Sequence, residues 1–175
     1  MNIFNKIASP TELLCIQGML ELITTDAAFI SSHLCDDSTY IFVEGEIEAP
    51  KAVCMTIVTE NIDQDSEHRF VNLSVVLVWV APEFRGTGYS QAFSTDVGYA
   101  LGRMYAERAE AESELFNQVV LEAYANCNNQ GGFNCVHYIT DLFAGAFQMF
   151  DLDCDLPILR NFQTTFPDPQ LPELY

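Results

Sequence analysis

Basic residues are scarce in this chain. Its 175 residues include seven Lys and Arg against 25 Asp and Glu, which gives a formal charge of -18. A surface with this balance repels the phosphates of nucleic acids and of anionic lipids, so direct binding to DNA, RNA or an acidic membrane is not expected. The same surface attracts cations, and this favours a cationic small molecule or a basic protein as a partner.

Long apolar runs and closely spaced cysteine pairs are also absent. No stretch approaches the ~20 apolar residues that a membrane-spanning helix needs, and the beginning of the chain, MNIFNKIASPTELL, has no secretory signal. None of the six cysteines lies in a C-x-x-C pair, the spacing typical of structural zinc sites, so no metal site is expected. We therefore expect a cytoplasmic protein with reduced thiols.

The composition is that of a folded protein. Apolar residues make up 49% of the chain and charged residues 18%, whereas disorder requires low hydrophobicity together with high charge. A mass of 19.6 kDa fits one domain over residues 1–175 with a sizeable core.

The first half of the chain contains a helix signal. Ser9 is a capping residue, Pro10 suits the first helical position, and Glu12 follows three residues after the cap. These residues predict a helix that continues to about Ile23, and Asp26 is a candidate cap for a second, short helix.

Strand signals follow the helix. Residues 39–44 and 52–59 are rich in β-branched and aromatic side chains and are separated by a polar turn at 46–51, a pattern that predicts an antiparallel hairpin. Residues 70–80 are apolar on both faces after Ser74, so we expect them to form a strand in the middle of a sheet.

Residues 79–90, WVAPEFRGTGYS, carry the strongest functional signal. An apolar strand breaks at a proline, turns through Arg85, Gly86 and Gly88, and enters a helix that begins near Tyr89. Glycines at alternate positions let backbone N–H groups converge without Cβ interference, and the helix start adds unpaired N–H groups and a positive dipole end. This arrangement predicts a site for a phosphate or pyrophosphate.

The second half completes the predicted architecture. A helical stripe runs to about Arg108, with Gly98 and Gly102 allowing close packing, and residues 116–123 form the next strand. Strand, helix and strand make a βαβ unit, so the fold class is α/β (α+β) with a central mixed, mostly antiparallel sheet flanked by helices. Residues 133–150 are read as helix followed by strand, and residues 166–169 as extended chain or loop.

The glycine turn resembles the main motif of the GCN5-related N-acetyltransferase (GNAT) superfamily. That motif lies between a central strand and a long helix. It consists of Arg or Gln, two further residues, Gly, one further residue, and then Gly or Ala. In this chain it stands as RGTGYS at residues 85–90. Residues 80–84 also look like the family's lead-in, and the flanking elements match its order over residues 40–123. Ser90 stands where the family has Gly or Ala, and the Gly-Phe pair usual after the last helix is absent.

The resemblance implies acetyl-CoA as the acyl donor. Backbone N–H groups of the turn would bind its pyrophosphate, the strand end would pair with its pantetheine arm, and an Asn after the next strand would also contact it. Asn126, Asn128 and Asn129 are candidates for that position. The predicted cofactor-binding residues are Trp79, Val80, Arg85, Gly86, Thr87, Gly88, Tyr89, Ser90 and Asn128.

The same resemblance implies transfer of the acetyl group to an amine. A neutral amine attacks the thioester carbonyl, a base or water chain removes its proton, and a Tyr protonates the leaving thiolate. Tyr138 is the candidate acid and Glu122 the candidate base, with Glu60 as the alternative base. The negative charge favours a cationic acceptor such as a polyamine, an aminoglycoside or a Lys-rich protein segment.

Two other functions fit the same sequence. The charge of -18 and the missing Gly-Phe pair favour a catalytically eroded GNAT-like protein that mimics nucleic acid or inhibits a basic partner. A sensor that binds acyl-CoA without turnover is the third alternative. Binding of acetyl-CoA separates the first and third functions from the second.

Overall fold

A computed structural model describes residues 1–5, 9–24, 32–150, 152, 154–167 and 169–172. Its elements in chain order are strand β1 (Asn2–Asn5), helix α1 (Pro10–Ile23), strands β2 (Thr39–Glu46), β3 (Ala49–Asp63) and β4 (His68–Val80), a 3₁₀ turn (Pro82–Phe84), helix α2 (Tyr89–Ala111), a second 3₁₀ turn (Ser113–Leu115), strand β5 (Gln118–Cys127), helix α3 (Gln130–Gln148) and strand β6 (Cys154–Thr164).

The strands form one six-stranded sheet in chain order. Strands β1 to β4 are antiparallel neighbours, whereas β4–β5 and β5–β6 are parallel pairs linked through α2 and α3. Helix α1 packs on one face of the sheet, and α2 and α3 pack together on the other. The predicted fold class, a mixed α/β sheet flanked by helices, is confirmed.

Helix α1 begins where its capping residues predict. The Ser9 hydroxyl accepts a hydrogen bond from the backbone N–H of Glu12 at 3.5 Å, and Pro10 occupies the first helical position. Its buried face, which includes Ile16 and Leu20, contacts the sheet. Asp26 lies outside the described residues.

The β2–β3 hairpin is longer than predicted. The strands extend to Glu46 and start again at Ala49, so the predicted turn at residues 46–51 shrinks to residues 47–48. Pro50 is tolerated because it lies next to a bulge at Lys51, which has no partner in β2, and because it pairs with Gly45, whose φ of 94° is left-handed. The bulge takes up the proline, which the sequence pattern alone reads as a strand breaker.

Strand β4 is central, as predicted, and contains a bulge at Val76. Met55 pairs with Leu77 and Thr56 with Val75, so Val76 has no partner in β3. A bulge reverses the face on which successive side chains lie. The residues that pack against α2 and α3 are accordingly Val71, Leu73 and Val75 before the bulge and Val78 and Val80 after it.

The second half differs from prediction mainly in its boundaries. Strand β5 covers Gln118–Cys127 rather than residues 116–123, and Phe116 is instead a buried residue just before it. Residues 133–148 all belong to α3, and the following strand begins only at Cys154. Residues 166–167 lie outside helices and strands, as predicted, and Asp168 lies outside the described residues.

The two glycines of α2 lie against α3, as expected. A Cβ atom at Gly98 would lie 2.3 Å from the carbonyl oxygen of Ile139, and one at Gly102 would lie 2.5 Å from that of Phe143. In the described part of the chain, no helix is both long and apolar enough to span a bilayer.

Candidate functional site

The glycine turn has the backbone conformation that its sequence predicts. Gly86 and Gly88 have φ values of 72° and 81°, in the left-handed region where residues with a Cβ are strained. Gly88 is the N-cap of α2 and has no side chain to occupy the helix's free N–H groups. A Cβ atom at either glycine would point into open space, so the turn presents bare backbone to a cavity.

Side chains of the turn hold it against the end of β4. The Arg85 Nε donates a hydrogen bond to the carbonyl oxygen of Val80 at 2.8 Å, and the Thr87 hydroxyl donates to that of Phe84 at 2.7 Å. The Phe84 and Tyr89 rings lie 4.9 Å apart. These contacts fix the backbone N–H groups before any ligand arrives.

A cavity of about 510 Å³ opens beside the turn. It brings together five predicted cofactor-binding residues: Trp79, Val80, Arg85, Gly86 and Ser90. The other predicted residues of the turn, Thr87, Gly88 and Tyr89, do not line it. The remaining lining residues are Ile23, Leu77, Val78, Asn129, Gly131, Gly132 and Cys135.

A second helix start points to this cavity, and of its residues the sequence analysis included only Asn129, as a candidate. Asn129 caps α3 by accepting a hydrogen bond from the N–H of Gly132 at 2.8 Å, and Gly131 lies between them. The positive ends of α2 and α3 thus meet at one site. The run Asn-Gln-Gly-Gly at residues 129–132, shortly after a strand, was the available signal. Burial raises the pKa of the Cys135 thiol, so this residue lines the cavity as a neutral group.

The sheet opens next to this cavity because β4 and β5 separate. Their pairing ends at Val75 and Ala125, while β4 continues to Val80 with a partner only on its β3 side. A smaller cavity of about 140 Å³ occupies the gap and is lined by residues 75–78 of β4 and by Asn126 and Asn128, among others. The predicted residue Asn128 is therefore at the strand gap.

A third cavity, of about 520 Å³, lies beyond the gap. It shares residues 75–77, Asn126 and Asn128 with the gap and adds Tyr124 of β5. Neighbouring cavities thus share lining residues. They lie in succession from the glycine turn, along the gap between β4 and β5, to Tyr124.

Glu122, the candidate base, is paired with a residue that the sequence analysis overlooked. The Tyr124 hydroxyl donates a hydrogen bond to the Glu122 carboxylate, and this bond raises the pKa of Tyr124. Residues i and i+2 of a strand share a face, which is the signal that links the two. Tyr138 is half-buried on α3 and lines none of the three cavities. Glu60 accepts hydrogen bonds from Arg69 and Arg108.

Cations without a carboxylate partner are found only near the turn. Among the described residues the side-chain cations number six, and Arg69, Arg103, Arg108 and Arg160 each form a salt bridge with Asp or Glu. The other two are Arg85 and Lys51. The Lys51 ammonium lies 5.7 Å from the centre of the Phe84 ring, so both charges flank the glycine turn.

Comparison with solved structures finds proteins of similar fold. One is an acetyltransferase of the GNAT family from Desulfovibrio desulfuricans (15% identity, 57% of this chain and 65% of that one, TM-score 0.36). Others are an acetyltransferase from Vibrio fischeri (13%, 70% and 96%, 0.37) and a ribosomal-protein-alanine N-acetyltransferase from Brucella melitensis (14%, 69% and 77%, 0.37).

These matches have TM-scores of 0.36 and 0.37. This chain spans about two thirds of the Desulfovibrio structure, 65% of its length. No protein-family model matches the sequence, and no curated protein does so. At such identities a likeness concerns the fold alone, so function depends on the geometry of this chain's own site.

Proposed function

We propose that this protein is an acetyl-CoA-dependent N-acetyltransferase that acts on an amine. The observation that carries this proposal is the row of three adjoining cavities along the strand gap. The row begins at the glycine turn, whose bare backbone suits an anion, and ends in a cavity next to a carboxylate. A two-substrate transfer needs such an arrangement, because donor and acceptor must meet in one cleft from different directions.

The donor half is suited to a large anion. Backbone N–H groups at residues 86–90 and at the start of α3 supply fixed partial positive charge. Arg85 and Lys51 add two full charges that no carboxylate neutralises. In a chain with a formal charge of -18, placing both beside the turn favours a phosphate ligand there. They would hold the phosphates of acetyl-CoA.

The strand gap suits the pantetheine arm and the thioester. Past Val75, β4 has no strand partner on its β5 side among the described residues, so backbone groups between Val76 and Val80 can pair with an amide-containing ligand. The bulge at Val76 turns the strand where the gap begins. A thioester carbonyl placed there would receive backbone N–H donors as negative charge develops on its oxygen.

The acceptor half supplies a proton acceptor. The amine nitrogen bonds to the carbonyl carbon, the carbon–sulfur bond breaks, and the amine proton passes to Glu122 directly or through the Tyr124 hydroxyl. The thiolate leaves and is protonated from Tyr124 or water. Tyr138, the acid that the family pattern favours, stays a prediction from sequence.

The main alternative is an acidic interaction protein with the same fold. The charge of -18 favours it and would attract a basic protein partner through long-range, salt-sensitive forces. An interaction protein would need neither the two unpaired cations nor the three adjoining cavities. A sensor that binds acyl-CoA without turnover would keep the donor half alone.

The test is a titration of the purified protein with acetyl-CoA, followed by Trp79 fluorescence and calorimetry. We expect saturable binding that is lost in Gly88→Glu, because the new carboxylate would occupy the anion site at a left-handed position. Gly18→Glu is the matched control, since Gly18 lies in α1 with open space around it. Arg85→Ala should weaken binding about tenfold.

Two results would contradict the proposal. The first is absence of binding by the wild-type protein up to about 1 mM acetyl-CoA, which would make the turn a structural connection and favour the acidic interaction protein. The second is unchanged binding by Gly88→Glu. Binding without thiol release by any amine would favour the sensor.

A further inference from the structure

The third cavity has an unusual lining for so acidic a protein. Asp and Glu number 25 in the chain, yet among the residues that the structure describes, none that lines this cavity is charged. Its polar groups are neutral amides and hydroxyls instead. Those with side-chain amides are Asn126, Asn128, Asn161 and Gln163.

These neutral groups converge from several elements. Ser74 comes from β4, Asn126 from β5, Asn161 and Gln163 from β6, and Thr24 directly follows α1. A ligand in this cavity of about 520 Å³ therefore meets hydrogen-bonding side chains from several directions. The size is that of a small-molecule site, for which ~300–1,000 Å³ is typical.

The amides are available to a ligand. The side chains of Asn126 and Gln163 form no hydrogen bond within the described residues, and Asn128 engages only its oxygen, which accepts from Thr165 at 3.3 Å. A primary amide both donates and accepts, and so does an alcohol. The amides of the cavity can therefore form hydrogen bonds with several hydroxyl groups of a ligand, and neither partner needs a net charge.

The charge of the site limits the number of amines on the ligand. One carboxylate, Glu122, adjoins the cavity through its bond with Tyr124. It can pair with one ammonium group. A polyamine or a Lys-rich segment would bring further ammonium groups into a cavity whose other polar groups are neutral, and they would lose water without gaining a counter-charge.

We propose that this cavity binds an amino sugar, meaning one amine on a polyhydroxylated and otherwise uncharged ring. This inference rests on the proposed function and specifies its acceptor. It replaces the polycationic acceptor that net charge alone suggests. A peptide with a free α-amine is the competing class; it is disfavoured because the cavity offers converging side chains rather than the backbone edge that extended peptides use.

Binding and turnover of four probes test the inference. The probes are D-glucosamine, cyclohexylamine, which keeps ring and amine but lacks hydroxyls, spermidine, and a neutral tripeptide with a free α-amine. Saturation-transfer NMR on the protein with and without bound coenzyme A measures binding, and thiol release from acetyl-CoA measures turnover. We expect kcat/KM for glucosamine to exceed that of each other probe at least about tenfold, because unpaired polar groups penalise a ligand that lacks hydroxyls.

Variants of the cavity tie this preference to its lining. Asn126→Leu and Gln163→Leu should each lower kcat/KM for glucosamine about five- to tenfold. Gln148→Leu is the control, since Gln148 is an exposed amide on α3 away from the cavity. Gln163→Glu should shift the preference toward spermidine by adding a second carboxylate, and this result would not follow from a general loss of structure.

The outcomes separate this inference from the proposed function. Preference for spermidine or the tripeptide, or no glucosamine binding by a protein that binds acetyl-CoA, overturns the amino-sugar assignment and leaves the acetyltransferase proposal intact. Failure to bind acetyl-CoA overturns the acetyltransferase proposal. In that case, glucosamine binding to the protein without coenzyme A still tests the ligand class. Binding that is lost in Asn126→Leu supports the amino-sugar assignment, and absence of binding refutes it.

Discussion

Replacement of Gly98 by Ala tests the packing on which the whole site depends. Gly98 lies in α2 where this helix crosses α3, and an added Cβ would stand 2.3 Å from the Ile139 carbonyl oxygen. Cβ atoms do not approach oxygen so closely, and the obstacle is backbone rather than a side chain that can rotate. The two helices would have to separate by about 1 Å, with loss of the close contacts between them.

The expected cost follows from two opposing effects. Overpacking of a core costs about 1–3 kcal/mol, and the rigid obstacle places this case at the upper end of that range. Ala stabilises a helix interior by about 1 kcal/mol relative to Gly. The net loss should be about 2 kcal/mol, which corresponds to a fall in Tm of about 4–8 °C for a chain of this size.

Urea denaturation monitored by circular dichroism measures this difference, with Gly145→Ala as the matched control. Gly145 lies in α3, and no atom stands within 4 Å of an added Cβ. The same substitution there should stabilise the protein by about 0.5–1 kcal/mol. If Gly98→Ala proves as stable as wild type, the close α2–α3 crossing is wrong.

Four further predictions concern other parts of the molecule. Arg69→Met should lower the free energy of unfolding by about 3 kcal/mol, because it removes a buried guanidinium, 2% exposed, that is paired with two glutamates. Arg103→Ala removes an exposed ion pair and should change the free energy of unfolding by less than about 0.5 kcal/mol. Urea unfolding measures both differences. Burial lowers the pKa of His137 in the folded protein, so the unfolded chain binds a proton at this residue first as the pH falls. The free energy of unfolding should therefore decrease below pH 6.5. Its difference between pH 7.5 and pH 5.5 should be smaller in His137→Gln than in the wild type. Tyr124→Phe should lower kcat about 100-fold and leave the affinity for acetyl-CoA unchanged. Tyr138→Phe should keep kcat within about twofold of the wild-type value. Steady-state kinetics of both variants measures these effects. Because the charge of -18 repels an anionic ligand, the association rate of acetyl-CoA in stopped flow should rise as salt screens that repulsion.

Local signals made much of the fold predictable. The capping residues of α1, the apolar run of β4 and the glycine turn each act within about ten residues, and the structure follows them. Strand β1 was not predicted, since Asn2–Asn5 is a short edge strand held by pairing with β2. The extension of the β2–β3 hairpin also escaped prediction, because it depends on the pairing of Pro50 with Gly45 beside the bulge at Lys51.

The donor side of the site was more predictable than the acceptor side for the same reason. Arg85, Gly86 and Ser90 belong to one local motif. Lys51 reaches the turn only through the pairing of β3 with β4, and Asn161 and Gln163 reach the third cavity only through the parallel pairing of β6 with β5. Sheet register is a long-range property, and no window of the sequence contains it.

The amide side chains shared by the strand gap and the third cavity follow from how β5 ends. A strand that stops at the mouth of a sheet and turns directly into a helix needs side chains that satisfy free backbone groups, and Asn is favoured there because its amide can accept from the helix N–H groups. Asn129 does this for α3. Asn126 and Asn128, on either side of the last β5 residue, face the gap and the third cavity. A charged residue at either position would lie at the positive ends of two helices, beside the anion site. If that residue were Asp or Glu, its carboxylate would compete with the phosphates of acetyl-CoA for the same positive groups. The residues that end the strand therefore also give the third cavity hydrogen-bonding groups, and Glu122 places a carboxylate next to it.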